Sequence, residues 1–337
     1  MSPNSDNTGK ISFEVLELDR ESATEEIVSS IQSIVLKQFR KRGAVVGISG
    51  GIDSSVVAAL CVRALGPERV HLLLMPEGES ASTDESTQLG RLLADNLGIE
   101  PELEDITSVL EGTRCYQRRD AAIQEVIPDY GPGWKSKIVL PSLIQSDQFR
   151  IFSVIAQSPS GEEIKARLKP EGYLGIVAAT NFKQRTRKMI EYYHADRLNF
   201  AVAGTPNLLE YDQGFFVKGG DGLADFKPIA HLYKSQVYQL AEYLDVPKEI
   251  RIRPPTTDTY SLPQSQEEFY FSLPYEKMDL CLWAVNHDVD AHETGEALGL
   301  SAEQIERVYR DIDAKRRMAA YLHAQPLFAG SPDGNHS

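Results

Sequence analysis

The stretch that decides the fold is Ala44-Val45-Val46-Gly47-Ile48-Ser49-Gly50-Gly51-Ile52-Asp53-Ser54-Ser55, continued by Val56-Val57-Ala58-Ala59-Leu60-Cys61-Val62. Its first five residues are a short apolar run, its middle is a loop rich in glycine and serine, and its end is an apolar segment of helical length reaching about Leu65. Val70 to Met75 then supplies a second apolar run, so the unit reads β-α-β with a parallel strand pair. A helix from about Thr83 to Leu97, closed by Gly98, and a third strand candidate in Ile99 to Asp105 continue the alternation. Asn199 to Ala203 adds a strand that enters Gly204-Thr205-Pro206-Asn207. The expected fold is α/β, a doubly wound parallel sheet with helices on both faces. Ligands of such sheets gather at the carboxyl ends of the strands, so the loops after Ile48 and after Ala203 should converge on one site.

Upstream, Ile27, Ile31, Ile34, Val35 and Phe39 recur at helical spacing behind Thr24-Glu25-Glu26, and this helix ends in Lys41-Arg42-Gly43. Residues 1–20 are polar and aperiodic and read as a disordered tail, with 21–337 as a single domain. Within it, about 113–180 is less regular and reads as an insertion or lid, with a hairpin of Phe149 to Ala156 and Ile164 to Leu168 around Ser158-Pro159-Ser160-Gly161. From about 264 the chain reads as helical, ending in an amphipathic helix on Ile305, Val308, Tyr309 and Ile312.

An apolar fraction of 42% with 25% charged residues excludes a disordered or collagen-like chain. No run approaches the roughly 18–20 apolar residues of a membrane helix, and the first residues lack a signal-peptide pattern, so a cytoplasmic protein is expected. A formal charge of -14 disfavours contact with a nucleic-acid backbone and leaves a small phosphorylated molecule as the expected partner. Cys61, Cys115 and Cys281 are far apart and form no C-x-x-C, which provides neither a disulfide framework nor a zinc site.

The loop carries the chemistry. At a strand-to-helix junction, open backbone N–H groups and the positive helix end hold an anion, and Gly47, Gly50 and Gly51 allow close approach. Ser49, Ser54 and Ser55 add hydroxyl donors. The lysine of G-x-x-x-x-G-K-[ST] is absent, so this is not the usual loop for γ-phosphate transfer. A carboxylate facing a polyphosphate repels it unless a cation lies between, which makes Asp53 a candidate Mg²⁺ ligand.

S-G-G-x-D-S after an apolar strand resembles the signature of the PP-loop ATP pyrophosphatases, which cleave ATP between its α and β phosphates to adenylylate a substrate. Further motifs resemble the ammonia-dependent NAD synthetases within that superfamily. They are Asn181-Phe182-Lys183-Gln184-Arg185-Thr186-Arg187, Gly204-Thr205-Pro206-Asn207-Leu208-Leu209-Glu210, and Gly214-Phe215-Phe216-Val217-Lys218-Gly219-Gly220-Asp221-Gly222-Leu223-Ala224-Asp225. Pro228-Ile229, Leu232-Tyr233-Lys234-Ser235-Gln236-Val237 and Pro255-Thr256-Thr257-Asp258 follow in the family's order.

The resemblance implies ATP and deamido-NAD as substrates, free ammonia as nitrogen donor, Mg²⁺ as cofactor and a homodimer. It implies Glu210 as a second Mg²⁺ ligand beside Asp53, and Thr205, Thr256, Lys234 and Arg185 as groups on ATP. Lys218, Asp221 and Asp225 would serve the deamido-NAD side, as would Lys315 of the basic motif Ala314-Lys315-Arg316-Arg317. Gln184 stands where the family has alanine and Ala314 where it has a ring, and the 113–180 segment is long for the family. A PP-loop ligase acting on another carboxylic acid, a non-catalytic ATP-binding module and a separate glutaminase partner stay open at this point.

Overall fold

The computed structural model describes residues 11–78, 84–139, 152–255, 260–262, 270–271 and 273–329. Strand β1 (Ala44–Gly47) pairs in parallel with β2 (Val70–Leu74), which pairs with the two-residue β3 (Glu102–Leu103). On the other side of β1 lies β7 (Ala201–Val202), also parallel, giving the sheet order β3-β2-β1-β7. The chain thus runs outward from β1 in one direction and later returns to its other side, which makes the β1/β7 junction the switch point of the sheet. Ala44 and Val45 stand opposite Ala201 and Val202, so the loops after both strands leave at the same level.

Strand side chains alternate between the two faces. Val46 and Leu72 face a core with Ile27 and Ile31 of α1 (Arg20–Gln32), Val57 and Leu60 of α2 (Ile52–Leu65), and Val237 and Leu240 of α8 (Lys234–Tyr243). Val45 and Leu73 face the opposite layer, with Ile106, Leu110 of α4 (Thr107–Gly112), Cys115 of α5 (Cys115–Gln124) and Ala195 of α6 (Pro170–Leu198). Burial on both faces is why these strands read as continuous apolar runs. The helix expected from Thr83 is α3 (Glu85–Leu97), with Asp84 accepting from Thr87 N at 2.6 Å and Gly98 closing it at φ +68°; Thr83 itself lies outside the described residues.

Two expectations need correction. Residues 11–20, expected in the tail, are ordered: Phe13–Leu16 form a 3₁₀ turn, and Ile11 and Leu16 are buried. Gln239 of α8 holds this segment, accepting from Leu18 N at 2.9 Å and donating to Leu16 O at 3.0 Å. Ile11, Val15 and Leu16 pack into the C-terminal core and dock a short turn that shows no periodicity. The third strand is Glu102–Leu103 rather than 99–105, because β3 is the edge of the sheet and only its crossing with β2 is paired.

The expected hairpin is β5 (Ser153–Gln157) with β6 (Glu163–Arg167), antiparallel, and β4 (Lys135–Val139) joins β5 as an unanticipated third strand. Residues 149–151, expected to begin the hairpin, lie outside the described residues. Ile123, Ile127, Tyr130, Ile138, Val154 and Ile176 form its core with α5 and α6. Ser136 N donates to Ser261 Oγ at 2.8 Å and Leu262 N to Ser136 O at 3.2 Å, so 260–262 run along this sheet.

The C-terminal part packs α10 (Tyr275–Asn286), α11 (Ala291–Leu298) and α12 (Ala302–His323) around Met278, Leu282, Ile305, Val308 and Ile312, the core that Leu16 joins. Ser301 and Gln304 close a capping box at the start of α12. Asp279 of α10 is fully buried and accepts from Ser235 N in the first turn of α8 at 2.7 Å.

Two outcomes follow from this packing. Leu16→Ala should destabilise the protein by about 2–4 kcal/mol in urea unfolding, whereas a segment without native contacts would give no change. Burial pushes the Asp279 carboxyl up to about 7 from its ordinary 3.8, so the folded protein takes up a proton there that the unfolded chain does not. The cost of burying this carboxylate is full above pH 7 and is relieved as pH falls from about 7 toward 4. Asp279→Asn should therefore stabilise the protein above pH 7 relative to wild type, with the difference shrinking by roughly 3–4 kcal/mol on acidification. A constant difference across unfolding curves at about pH 4.5 and 8 would exclude this titration as its source.

Candidate active site at the switch point

Beyond β1 the chain turns through Gly50 at φ +71°, where a Cβ would lie 2.4 Å from Ser86 O. Only glycine fits both the angle and the approach. Gly51 is the N-cap of α2 and no side chain caps it, so the first-turn amides and the positive helix end point out of the loop. The serines shape the turn: Ser49 N donates to Ser54 Oγ at 3.2 Å, Ser54 Oγ donates to Gly51 O at 3.2 Å, and Ser55 Oγ donates to Gly51 O at 2.8 Å.

Beyond β7, Asn207 and Glu210 form the capping box of α7 (Leu208–Gln213). Asn207 Oδ1 accepts from Glu210 N at 3.1 Å and Glu210 Oε2 accepts from Asn207 N at 3.3 Å. The Asn207 amide reaches across to donate to Asp53 Oδ1 at 2.9 Å. Lys234, the first residue of α8 and 1% exposed, donates to Asp53 Oδ2 and lies 3.9 Å from Glu210 Oε1. Burial alone would lower the lysine's pKa; Asp53, then Glu210, outweigh it and hold the ammonium charged. One buried cation thus ties the β1 loop, the β7 loop and α8 together.

These groups border a cleft of about 1070 Å³, at the top of the roughly 300–1,000 Å³ range of ligand pockets and roomy enough for a nucleotide and a second substrate. Of the residues singled out in the sequence, Gly47, Ser49, Gly51, Asp53, Ser54, Thr205, Glu210, Asp221, Lys234 and Lys315 line it. Asp221 Oδ1 accepts from Val217 N at 2.7 Å, and burial raises its pKa. Lys315 donates to Tyr270 O at 2.6 Å and pairs with Asp311 at 2.8 Å. Gln184 lines the cleft too and packs on Gly220, whose own Cβ would lie 2.9 Å away.

Gly50 and Ser55 serve the turn itself. Arg185, Lys218 and Asp225 lie outside the cleft: Arg185 is exposed and donates to Lys218 O at 3.3 Å, and Lys218 Nζ donates to Tyr321 O at 2.8 Å. Asp225 Oδ2 accepts from Val202 N at 2.7 Å and its Oδ1 from Tyr192 OH at 3.2 Å, which secures β7. Thr256 lies outside the described residues.

The cleft also holds residues to which the sequence reading gave no role, two of them within the quoted 181–187 motif. Lys183, Arg187, Lys188 and Glu191 come from one face of α6, with Lys183 paired to Glu77 and Lys188 to Glu191 at 2.5 Å. Arg187 Nε donates to Met75 O at 3.1 Å. Phe152 and Tyr173, stacked with ring centroids 3.7 Å apart, bring the antiparallel sheet to the cleft wall. Lys183, Arg187 and Glu191 recur four apart, and that helical spacing was the available signal.

The family model for NAD synthase matches residues 23–126 and 145–319. The NH(3)-dependent NAD(+) synthetase of Rhizobium meliloti strain 1021 is 58% identical over 315 residues, covering 94% of this chain and 93% of that protein. The enzyme of the same name from Mesorhizobium japonicum is 57% identical and covers 94% and 98%. Among solved structures, an NMN synthetase from Francisella tularensis aligns with a TM-score of 0.61 at 23% identity, over 93% of this chain and 99% of that one, which shows a shared fold. The match runs through the β1 loop, both motifs of the switch point and the lysine of α12, and the chain belongs to the NAD synthase family.

Proposed function

We infer that this protein is an ammonia-dependent NAD synthetase, a ligase that adenylylates the nicotinate carboxylate of deamido-NAD with ATP and amidates it with ammonia, giving NAD, AMP and pyrophosphate. The observation that carries the reading is the Asp53–Lys234–Glu210 cluster at the mouth of the β1 loop, in a chain 58% identical to a protein of that name. Attack of the carboxylate on the α-phosphorus needs the pyrophosphate held as it departs. The amides at the start of α2 and the loop hydroxyls serve this, and the Lys234 ammonium, fixed in its charged form, faces the developing negative charge.

Two carboxylates for one ammonium leave a net negative charge of hard oxygen donors, a set that suits Mg²⁺, which takes one or two carboxylates together with substrate phosphates. Asp53 and Glu210 would hold it, and its chemistry there is to neutralise phosphate charge. The acyl-adenylate carries a good leaving group, so ammonia attacks without a protein nucleophile, and the chain contributes position and electrostatics. Burial pushes the Cys61 and Cys281 thiols up to about 12, which suits neither to releasing ammonia from glutamine. Free ammonia as donor, a cytoplasmic location and a homodimer complete the proposal. No helix among the described residues is long and apolar enough to cross a membrane.

Incubation with Mg-ATP and deamido-NAD should yield NAD and AMP in equal amounts with ammonium and no NAD with glutamine. ATP binding without NAD formation would refute this acceptor. Asp53→Asn and Glu210→Gln should each lower kcat by about 10²–10³ with an unchanged circular dichroism spectrum. Full AMP formation in either variant would remove that carboxylate from the chemistry.

A further inference from the structure

Outside the cleft, β2, β3 and α6 bring three side chains to one point. His71 Nε2 lies 3.2 Å from His194 Nδ1 and 3.0 Å from Glu102 Oε2, and His194 Nδ1 lies 3.5 Å from the same oxygen. We propose that His71, His194 and Glu102 form a binding site for a divalent transition-metal ion, Zn²⁺ above all. None of the three lines the cleft, and the reaction proposed there does not use them.

The geometry argues for it first. A tetrahedral Zn²⁺ with bonds of about 2.0–2.1 Å has neighbouring ligand atoms about 3.3 Å apart, so these three atoms outline one face of such a tetrahedron and leave the fourth position to water. Two imidazoles and a carboxylate are a donor set that suits zinc. The surroundings argue for it independently. His194 is fully buried, and its Nε2 faces Glu104 Oε1 at 3.0 Å. A carboxylate on the far nitrogen fixes the tautomer that presents Nδ1 as a lone pair, the arrangement usual behind metal-bound histidine. His71 and Glu102 are part-exposed, with side chains 21% and 42% accessible, which provides an entry path.

Arg197 is the competitor. Its Nη2 lies 2.7 Å from both Glu102 Oε2 and His194 Nδ1, donating to the lone pairs a metal would take. Its side chain is 39% exposed, so it can turn outward into water when an ion enters. Arg197 Nε also donates to His194 Nδ1, at 3.0 Å, so the guanidinium holds the cluster together as a cation in the place a metal ion would take. Because the ligands come from residues 71, 102 and 194, a bound ion would clamp β2, β3 and α6 and stabilise the folded chain.

Metal-stripped wild-type protein should take up Zn²⁺ in equilibrium dialysis, including one equivalent that Asp53→Asn and Glu210→Gln, made singly, leave in place. Its Tm should rise with Zn²⁺ concentration, and Co²⁺ should give the visible absorption of a four-coordinate site. His71→Ala or Glu102→Gln should abolish that equivalent and the Tm shift. Arg197→Ala should bind at least about tenfold more tightly, because a competing cation is gone. No stoichiometric uptake in either the parent or Arg197→Ala would overturn the proposal, as would uptake unchanged by His71→Ala and Glu102→Gln.

Discussion

The contact on which the site depends is the buried ammonium of Lys234 between Asp53 and Glu210. Taking an ammonium out of water costs several kcal/mol unless charge and hydrogen bonds replace the solvent, and here two carboxylates do so. Each partner is also fixed by backbone: Asp53 in the first turn of α2, Glu210 in the capping box of α7, Lys234 at the start of α8 beside the Asp279–Ser235 bond. Asn207 couples them, since one side chain caps α7 through its oxygen and holds Asp53 through its amide. The two loops of the switch point therefore cannot shift independently, and the uncapped amides at the start of α2 stay aimed at one place.

Helix α6 supplies the opposite wall, and its polar face explains why it has to sit so close. Gly47 has no side chain, and a Cβ there would meet Glu191 Oε1 at 2.9 Å and Met75 Cε at 3.0 Å. The missing atom lets α6 press against β1 and deliver Lys183, Arg187 and Lys188 into the cleft. The same helix carries His194 and Arg197 near its far end, so one 29-residue element serves both the cleft and the histidine cluster.

Strands β1 and β2 and helix α2 were legible because burial on both faces leaves unbroken apolar runs, and the switch-point residues because a glycine-serine loop and a capping motif are short-range features. Helix α6 was not. Its buried positions include Thr180, Lys183, Thr186, Lys188, Glu191 and His194, so the inward stripe that should betray a helix is written in polar letters facing a polar cleft. The turn at Phe13–Leu16 escaped for the opposite reason: it is too short to have a period. Arg185 matched a motif, yet two residues either side of it on a helix point elsewhere, and Lys183 and Arg187 reach the cleft instead. Spacing along the chain located the helix face only to within half a turn.

A chain with a formal charge of -14 that is to hold polyphosphate raises an electrostatic question. The cleft does not answer it with an excess of cations, because Lys183 pairs with Glu77, Lys188 with Glu191, Lys234 with Asp53 and Lys315 with Asp311. Paired charges position one another and project little field beyond a few ångströms. On the function proposed above, attraction for phosphate would come from the amides at the uncapped start of α2, from Arg187, whose Nε donates to a backbone carbonyl, and from a divalent cation entering with the nucleotide. Such a site would discriminate by geometry as much as by charge: a polyanion without a metal would meet the surplus carboxylate at Asp53 and Glu210 and be repelled, whereas those two carboxylates would hold the cation of a metal-bound triphosphate.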